Sequence, residues 1–220
     1  MHLISLERSL WYLNIVAAAG LFLRLYAQRI LTGYPFMSAL LITVTVEQFV
    51  ALAFIHNPRL YLLVYLLGQT VKLPLATFAV LEVCRRAVAN RLLSYAFCLA
   101  IPVSLANLLL DAGVAANCDP ILFEFLKVER TVNLILGLVI SVVLFGFPML
   151  ARRNVVLWLG GFMVYSLSRW AGLLLTNLQP HNGRGWSVGM QIVSLACVAG
   201  WTILLNAAGE DEVGVLRAVE

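Results

Sequence analysis

Long apolar stretches, separated by short turn-forming or charged segments, recur along the whole chain. Each is long enough to cross the hydrocarbon core of a bilayer, which is about 30 Å thick and takes a helix of about 20 residues. The predicted spans are residues 9–28, 34–55, 60–84, 92–112, 125–150, 155–177 and 186–207. This pattern predicts an all-α fold in which a seven-transmembrane-helix bundle, residues 1–208, precedes a short acidic tail, residues 209–220.

The first apolar stretch has two interpretations, a secretory signal peptide and a retained helix. The small residues Ala17 to Gly20 resemble a cleavage site. Apolar character nevertheless continues from Leu21 to Tyr26, and the segment before the stretch carries Glu7 next to Arg8. We therefore expect a retained helix.

The composition indicates a membrane environment. The 220-residue chain is 62% apolar and 12% charged, whereas soluble domains are about 45–50% apolar and about 25% charged. Its net charge of +4 comes from basic residues scattered between apolar stretches, unlike the continuous basic face of a nucleic-acid-binding domain. We expect the lipid bilayer as partner, no nucleic acid, and an integral, multi-pass location in the plasma membrane or the bacterial inner membrane.

The distribution of Lys and Arg predicts the orientation, because short cytoplasmic loops retain more of them. With the N-terminus outside, eight basic residues fall on the cytoplasmic side: Arg24, Arg29, Arg85, Arg86, Arg91, Arg152, Arg153 and Arg217. Five fall outside: Arg8, Arg59, Lys127, Arg130 and Arg184. This bias places the C-terminus in the cytoplasm.

Three ionisable residues within predicted spans stand out, Glu47, Lys72 and Arg169, because a charged group in the hydrocarbon region is costly unless it faces the protein interior. The second and third spans form an antiparallel hairpin. Counting outward from its turn brings Glu47 level with Gln69 and places Lys72 one helical turn deeper. We expect Glu47 and Lys72 to form an ion pair.

Polar side chains from several spans reach a similar depth in the outer half of the predicted bundle. The candidate ligand-cavity residues are Asn14, Glu47, Gln69, Lys72, Glu129, Asn133, Arg169 and Gln191. Such a belt is what an outward-facing cavity for a small polar or zwitterionic ligand requires. The alternative is that these groups only cross-link the helices.

Glu82 and Arg86 lie one helical turn apart at the inner end of the third span, and we expect a local salt bridge between them. Their placement resembles the acidic-then-arginine motif of rhodopsin-like receptors. The resemblance ends there, because the last span lacks an NPxxY-like ending and the third span has no outer cysteine to bond Cys118.

The sequence argues against several cofactors. The last span contains no lysine for a retinal Schiff base, and His2, His56 and His181 lie at the terminus or in loops, away from where haem or a catalytic metal would be held. The four cysteines show no ligand-like spacing. We predict no cofactor, no metal site and no catalytic residues.

These observations favour a non-enzymatic protein that binds a small polar ligand or a lipid in an outward-facing cavity, as a receptor-like or transport-like protein does. The length and the spans also resemble sugar transporters of the three-plus-one-plus-three kind, but Pro148 and the Gly160-Gly161 pair have no counterparts in the first three spans. The alternative is a structural or accessory subunit of a larger membrane complex, docking through small residues such as Gly189. An enzyme ranks third because no nucleophile, base and orienting group are visible together.

The orientation can be tested by labelling single cysteines in intact cells with a membrane-impermeant maleimide, after the four native cysteines have been replaced. Asn182→Cys is expected to react, because its loop is placed outside. Ala89→Cys, close to Arg85 and Arg86, is expected to react only after the cells are permeabilised. If Ala89→Cys reacts in intact cells and Asn182→Cys does not, the orientation is the opposite of the predicted one.

Overall fold

The computed structural model describes residues 2–54, 57–88, 120–146, 150–210 and 213–215. Within these ranges the chain forms α1 (His2–Ala27), α2 (Pro35–Ala53), α3 (Pro58–Ala87), α4 (Pro120–Gly146), α5 (Arg153–Leu178) and α6 (Gly183–Leu204). Two short strands, β1 (Leu150–Arg152) and β2 (Val213–Val215), and three 3-10 helices complete them. The predicted span at 92–112 lies outside the described residues.

Local sequence signals fix where α2 and α3 begin. Pro35 and Pro58 occupy the first turns of these helices, where the N–H that proline lacks would have no intrahelical partner. Asn57 caps α3, because its side-chain oxygen accepts a hydrogen bond from the Leu60 N–H at 3.3 Å. Between α1 and α2, Arg29 adopts a left-handed conformation with φ of 58°, which turns the chain toward α2.

The six described helices are arranged in a ring in which each contacts the next and α6 contacts α1, while α3 also contacts α5 across the centre. The end of the bundle that holds Trp11 is called the Trp11 end, and the opposite end the Tyr34 end. At the Trp11 end, Asn14 of α1 donates to the Gln191 carbonyl of α6 at 3.1 Å. At the Tyr34 end, Arg24 donates to the Leu205 carbonyl at 3.4 Å. These contacts make α1 and α6 parallel.

The surface of the bundle exposes many apolar side chains, and its largely apolar interior also holds a few buried polar groups. Val16, Leu23 and Phe145 are 70%, 64% and 79% exposed, whereas Asn14 and Glu129 are buried. Five helices, all except α5, are long and apolar enough to cross a membrane. This arrangement is compatible with a multi-pass membrane protein, as the sequence predicted.

Helix α5, which contains the predicted span 155–177, has no membrane-length stretch as apolar as those found in the other five described helices. It has 26 residues, among which Arg169, two tryptophans and several small polar residues interrupt the apolar pattern. It contacts its neighbours α4 and α6, and it also contacts α3 across the centre of the ring. A helix enclosed in this way needs a smaller lipid-facing apolar surface.

A small antiparallel sheet lies at the Tyr34 end, where Ala151 of β1 pairs with Gly214 of β2. The sequence predicted that the fifth span would continue to residue 150, but α4 ends at Gly146. It also assigned the whole segment after residue 208 to a tail, part of which forms β2. Three-residue strands are too short to leave an alternating pattern, so neither strand could be predicted.

Aromatic side chains fill the interior near the Tyr34 end. The Trp201 ring lies 4.9 Å from the Trp158 ring and 5.1 Å from the Phe162 ring, measured between centroids. The Trp201 indole N–H donates to the Leu157 carbonyl at 3.0 Å. This hydrogen bond and the ring contacts join α5 to α6.

Two adjacent glycines of α5 provide a matched test of this packing. A Cβ at Gly161 would overlap the Trp201 indole, whereas a Cβ at Gly160 would meet nothing within 4 Å. Gly161→Ala is expected to lower the melting temperature of the purified protein, because overpacking costs about 1–3 kcal/mol. Gly160→Ala is expected to leave it unchanged or raise it, since Ala favours a helix over Gly by about 1 kcal/mol. Equal effects of the two changes would contradict the packing of Gly161 on Trp201.

Candidate functional site

An ion pair joins α2 to α3 in the half of the bundle nearer the Trp11 end. The Lys72 ammonium lies 2.5 Å from the Glu47 carboxylate, with side-chain exposures of 18% and 10%. Gly68 makes room for this contact, because a Cβ there would overlap the Glu47 carboxyl group. The pairing agrees with the hairpin register that the sequence predicts.

A second ion pair joins α4 to α5, between Glu129 and Arg169. The other oxygen of the Glu129 carboxylate accepts a hydrogen bond from the Tyr65 hydroxyl of α3 at 2.9 Å. The Asn133 side chain, one turn farther along α4, donates to the Glu129 carbonyl at 2.9 Å. The sequence offers Glu47 and Glu129 as possible carboxylate partners of Arg169, and in the structure the partner is Glu129.

A cavity of about 190 Å³ lies between α1, α2, α3, α5 and α6, and is called the polar chamber. Six of the eight candidate cavity residues line it: Asn14, Glu47, Gln69, Lys72, Arg169 and Gln191. Trp11 and Tyr61 lie at its outermost level, with their rings edge to face and their centroids 6.4 Å apart. The chamber is partly open, so the two ion pairs do not completely fill the space between the helices.

A second cavity of about 150 Å³ lies deeper, toward the Tyr34 end, and is called the apolar chamber. The remaining two candidates, Glu129 and Asn133, line it together with many aliphatic side chains. The chambers share part of their walls, and the residues common to both are Gln48, Gln69, Lys72, Tyr165 and Ser194. The structure thus brings all eight candidates to one pair of adjoining chambers, and ligand binding there stays a prediction.

Hydrogen-bonding capacity is left over in the polar chamber. The side-chain oxygens of Gln48 and Gln191 are buried and have no hydrogen-bond partner within the described part of the chain. Among the described residues, the Arg169 NH2 group donates to Glu129, and its NH1 group donates to the Met190 sulfur at 3.9 Å and to no other atom. A thioether is a weak acceptor and a guanidinium carries five N–H donors. The chamber therefore offers both donors and acceptors to a polar molecule.

Glu82 and Arg86, for which the sequence predicts a salt bridge, interact electrostatically at the Tyr34 end, and each also makes contacts of its own. The Glu82 carboxylate accepts hydrogen bonds from the N–H groups of Phe36 and Met37, each at 3.2 Å. It thereby caps the start of α2, where unpaired N–H groups and the helix dipole favour an anion. Arg86 donates to the Gly33 carbonyl and lies 4.1 Å above the Tyr34 ring.

Several lining residues were not singled out from the sequence. Two of them, Tyr61 and Tyr65, precede the predicted Gln69 and Lys72 along α3 at intervals of three or four positions. All four residues therefore lie on one helix face. This spacing was the signal that could have added both tyrosines. Gln48 and Ser194 gave no such signal, because an isolated polar residue in an apolar helix does not reveal which way it faces.

Metal-ligand groupings and thiols can be surveyed only in the part of the chain that the structure describes. Within the described ranges, no three His, Cys, Asp or Glu side chains are grouped to hold a metal ion. Cys84 and Cys197 are free thiols, and Cys197 lines the apolar chamber. The described walls of the polar chamber contain neither histidine nor cysteine.

Comparison with known proteins adds no relative: no protein family, curated protein or solved structure matches the chain.

The ion pair between Glu47 and Lys72 can be measured by a double-mutant cycle. Removing one partner of a buried pair leaves the other charge uncompensated, which costs about 3–5 kcal/mol. Glu47→Gln and Lys72→Met are therefore each expected to lower thermal stability strongly, and the double variant is expected to lose less than the sum of the two.

The pair Glu124 and Lys127 of α4 provides the control. Its charged atoms are 3.4 Å apart and the Glu124 side chain is 66% exposed, so Glu124→Gln should cost under about 1 kcal/mol. Strictly additive losses for Glu47→Gln and Lys72→Met would show that the two residues do not interact.

Proposed function

We propose that this chain is a non-enzymatic, seven-helix integral membrane protein that binds a small polar ligand or a lipid in the polar chamber. In this proposal it acts as a receptor-like or transport-like protein. The observation that carries it is the partly open chamber lined by Glu47, Lys72 and Arg169, with side-chain amide oxygens left unpaired beside them.

The course of the chain supports a further crossing between α3 and α4. Tyr65, near the start of α3, bonds to Glu129, in the first half of α4, so both helices begin at the Trp11 end. The end of α3 and the start of α4 therefore lie at opposite ends of the bundle. The predicted apolar span at 92–112 has the length of one crossing, and on this basis we propose seven crossings.

The basic residues support the proposed orientation. Within the described chain, six arginines belong to the Tyr34 end, Arg24, Arg29, Arg85, Arg86, Arg152 and Arg153, against five basic residues at the Trp11 end, Arg8, Arg59, Lys127, Arg130 and Arg184. Since cytoplasmic loops retain arginine and lysine, the Tyr34 end faces the cytoplasm and the polar chamber is reached from outside.

Unfilled space favours binding over simple cross-linking. If the polar groups only joined the helices, we would expect each buried polar atom to have a partner, because an unpaired one costs about 1–3 kcal/mol. Gln48 and Gln191 nevertheless leave buried oxygens unpaired beside a cavity. A bound molecule or water supplying N–H or O–H groups would satisfy them.

An accessory-subunit role is the second candidate. Gly20, Gly160 and Gly189 would each accept a Cβ without meeting any atom within 4 Å. Small residues with open space in front of them allow a neighbouring helix to approach closely. In this role the two ion pairs serve only to hold the helices together.

Access to the polar chamber separates these functions. In a chain freed of its native cysteines, Ser194→Cys is expected to react in intact cells with a small, negatively charged methanethiosulfonate, because Ser194 lines the chamber. Thr70→Cys is the matched control. Thr70 lies on α3 but is exposed on the outside of the bundle, so lipid should exclude the charged reagent from it.

Labelling of Ser194→Cys but not Thr70→Cys supports a water-filled chamber reached from outside. Protection of Ser194→Cys in intact cells and in detergent would mean that the interior is sealed. That result would remove the ligand-binding proposal and favour the accessory subunit.

A further inference from the structure

The charged side chains around the two chambers already neutralise one another. Among the described residues, the charged groups that line the chambers are Glu47, Lys72, Glu129 and Arg169. They form two ion pairs, each of one acid and one base, so their charges sum to zero. A ligand with a net charge would find no counter-charge left for it, and an unmatched charge is costly in such an interior.

The buried groups that lack a partner at the polar chamber include two neutral acceptors. The side-chain oxygens of Gln48 and Gln191 are buried and accept no hydrogen bond within the described part of the chain, and both residues line the chamber. Gln48 belongs to α2 and Gln191 to α6, and α1 separates these helices in the ring. A matching ligand therefore needs hydrogen-bond donors at more than one position.

From the charge balance and these two acceptors we infer that the ligand is a small neutral polyol, held through its hydroxyl groups between α2 and α6. The inference rests on the proposed function and names the chemical class of its ligand.

Hydroxyl groups suit this wall better than other neutral groups do. A hydroxyl donates one hydrogen bond and also accepts, so it can donate to Gln48 or Gln191 and accept from Arg169, whose NH1 group reaches a weak sulfur acceptor. A polyol carries such a group on each carbon. A primary amide, in contrast, carries both of its N–H groups on one atom, and so presents its donors at one place.

The volume of the polar chamber limits the size of the polyol. Water takes about 30 Å³ per molecule in the liquid, so a cavity of about 190 Å³ holds about six groups of that size. Glycerol and erythritol are of this size, whereas a disaccharide is too large.

The test measures how solutes protect Ala51→Cys in a chain that is freed of its native cysteines and held in lipid nanodiscs. Ala51 lines the polar chamber and has no polar side chain, so the new thiol reports occupancy without removing a hydrogen-bonding group. Its rate of reaction with a negatively charged methanethiosulfonate is measured at increasing solute concentration. Glycerol and erythritol are expected to slow the reaction to a plateau, and sucrose is expected not to slow it.

Solutes with the same three-carbon skeleton test the charge and the hydroxyl groups. Glycerate carries a negative charge and 2-amino-1,3-propanediol a positive one, and each is expected to need at least a tenfold higher concentration than glycerol for half-protection, because a net charge stays unmatched. 1,3-Propanediol lacks one hydroxyl and is expected to need about a two- to tenfold higher concentration, the effect of one lost hydrogen bond.

Variants of the two glutamines localise the hydroxyl groups. Added to Ala51→Cys, Gln48→Leu and Gln191→Leu are each expected to raise the half-protecting glycerol concentration about two- to tenfold. Gln28→Leu is the matched control, because the Gln28 oxygen is also buried without a partner in the described chain but Gln28 lines neither chamber. Where a glutamine variant fails to fold, the solute series on Ala51→Cys alone stays decisive.

The outcomes distinguish this inference from the function on which it rests. Better protection by glycerate or by 2-amino-1,3-propanediol than by glycerol would overturn the neutral ligand, and better protection by acetamide would overturn the polyol, while polar-ligand binding would stand in both cases. Rapid modification that no solute slows would mean that water alone fills the chamber and would overturn the polyol as well. If neither Ala51→Cys nor Ser194→Cys ever reacts, the proposed function is removed together with the inference.

Discussion

The arrangement of the helices depends on one constraint: charged side chains that lie inside the bundle, largely away from water, must be neutralised. A guanidinium stays charged at any accessible pH, so Arg169 needs an anionic partner inside the protein. Glu129 supplies it from the neighbouring helix, and Tyr65 binds the second carboxylate oxygen from α3. This one carboxylate thus fixes the relative heights of α3, α4 and α5. The ion pair of Glu47 with Lys72 extends the constraint to α2.

Satisfying those charges leaves space that aliphatic packing would otherwise fill. Charged and amide side chains need defined partners at defined distances, so they cannot adapt to gaps as Leu or Met do. The polar chamber lies where these groups meet, and the apolar chamber extends from them toward aliphatic and aromatic side chains. Deeper still, rings that pack at 4.9–5.1 Å close the interior. The gradient from polar to aromatic is therefore a consequence of where the charges lie along the helices.

Much of this arrangement could be read from the sequence, because a membrane-length apolar stretch is a strong signal and depth follows from counting residues. Counting placed Glu47 beside Lys72 and brought Arg169 to the same half of the bundle. It could not identify Glu129 as the partner of Arg169, since depth says nothing about which helices are neighbours. It also paired Glu82 with Arg86 from spacing alone, although the start of α2 competes for the same carboxylate. The count of seven helices and the orientation stay predictions.

The structural and the binding roles of Arg169 need not exclude each other. A guanidinium held on one side by Glu129 has lost most of its conformational freedom before any ligand arrives. Its remaining donors are then preorganised, so an incoming ligand does not bear the entropic cost of ordering a long side chain. The same argument applies to Lys72, which Glu47 holds beside the chamber. Under the proposed function, each ion pair both joins two helices and presents fixed hydrogen-bond donors to the ligand, which explains why a cavity and a cross-link occupy the same place.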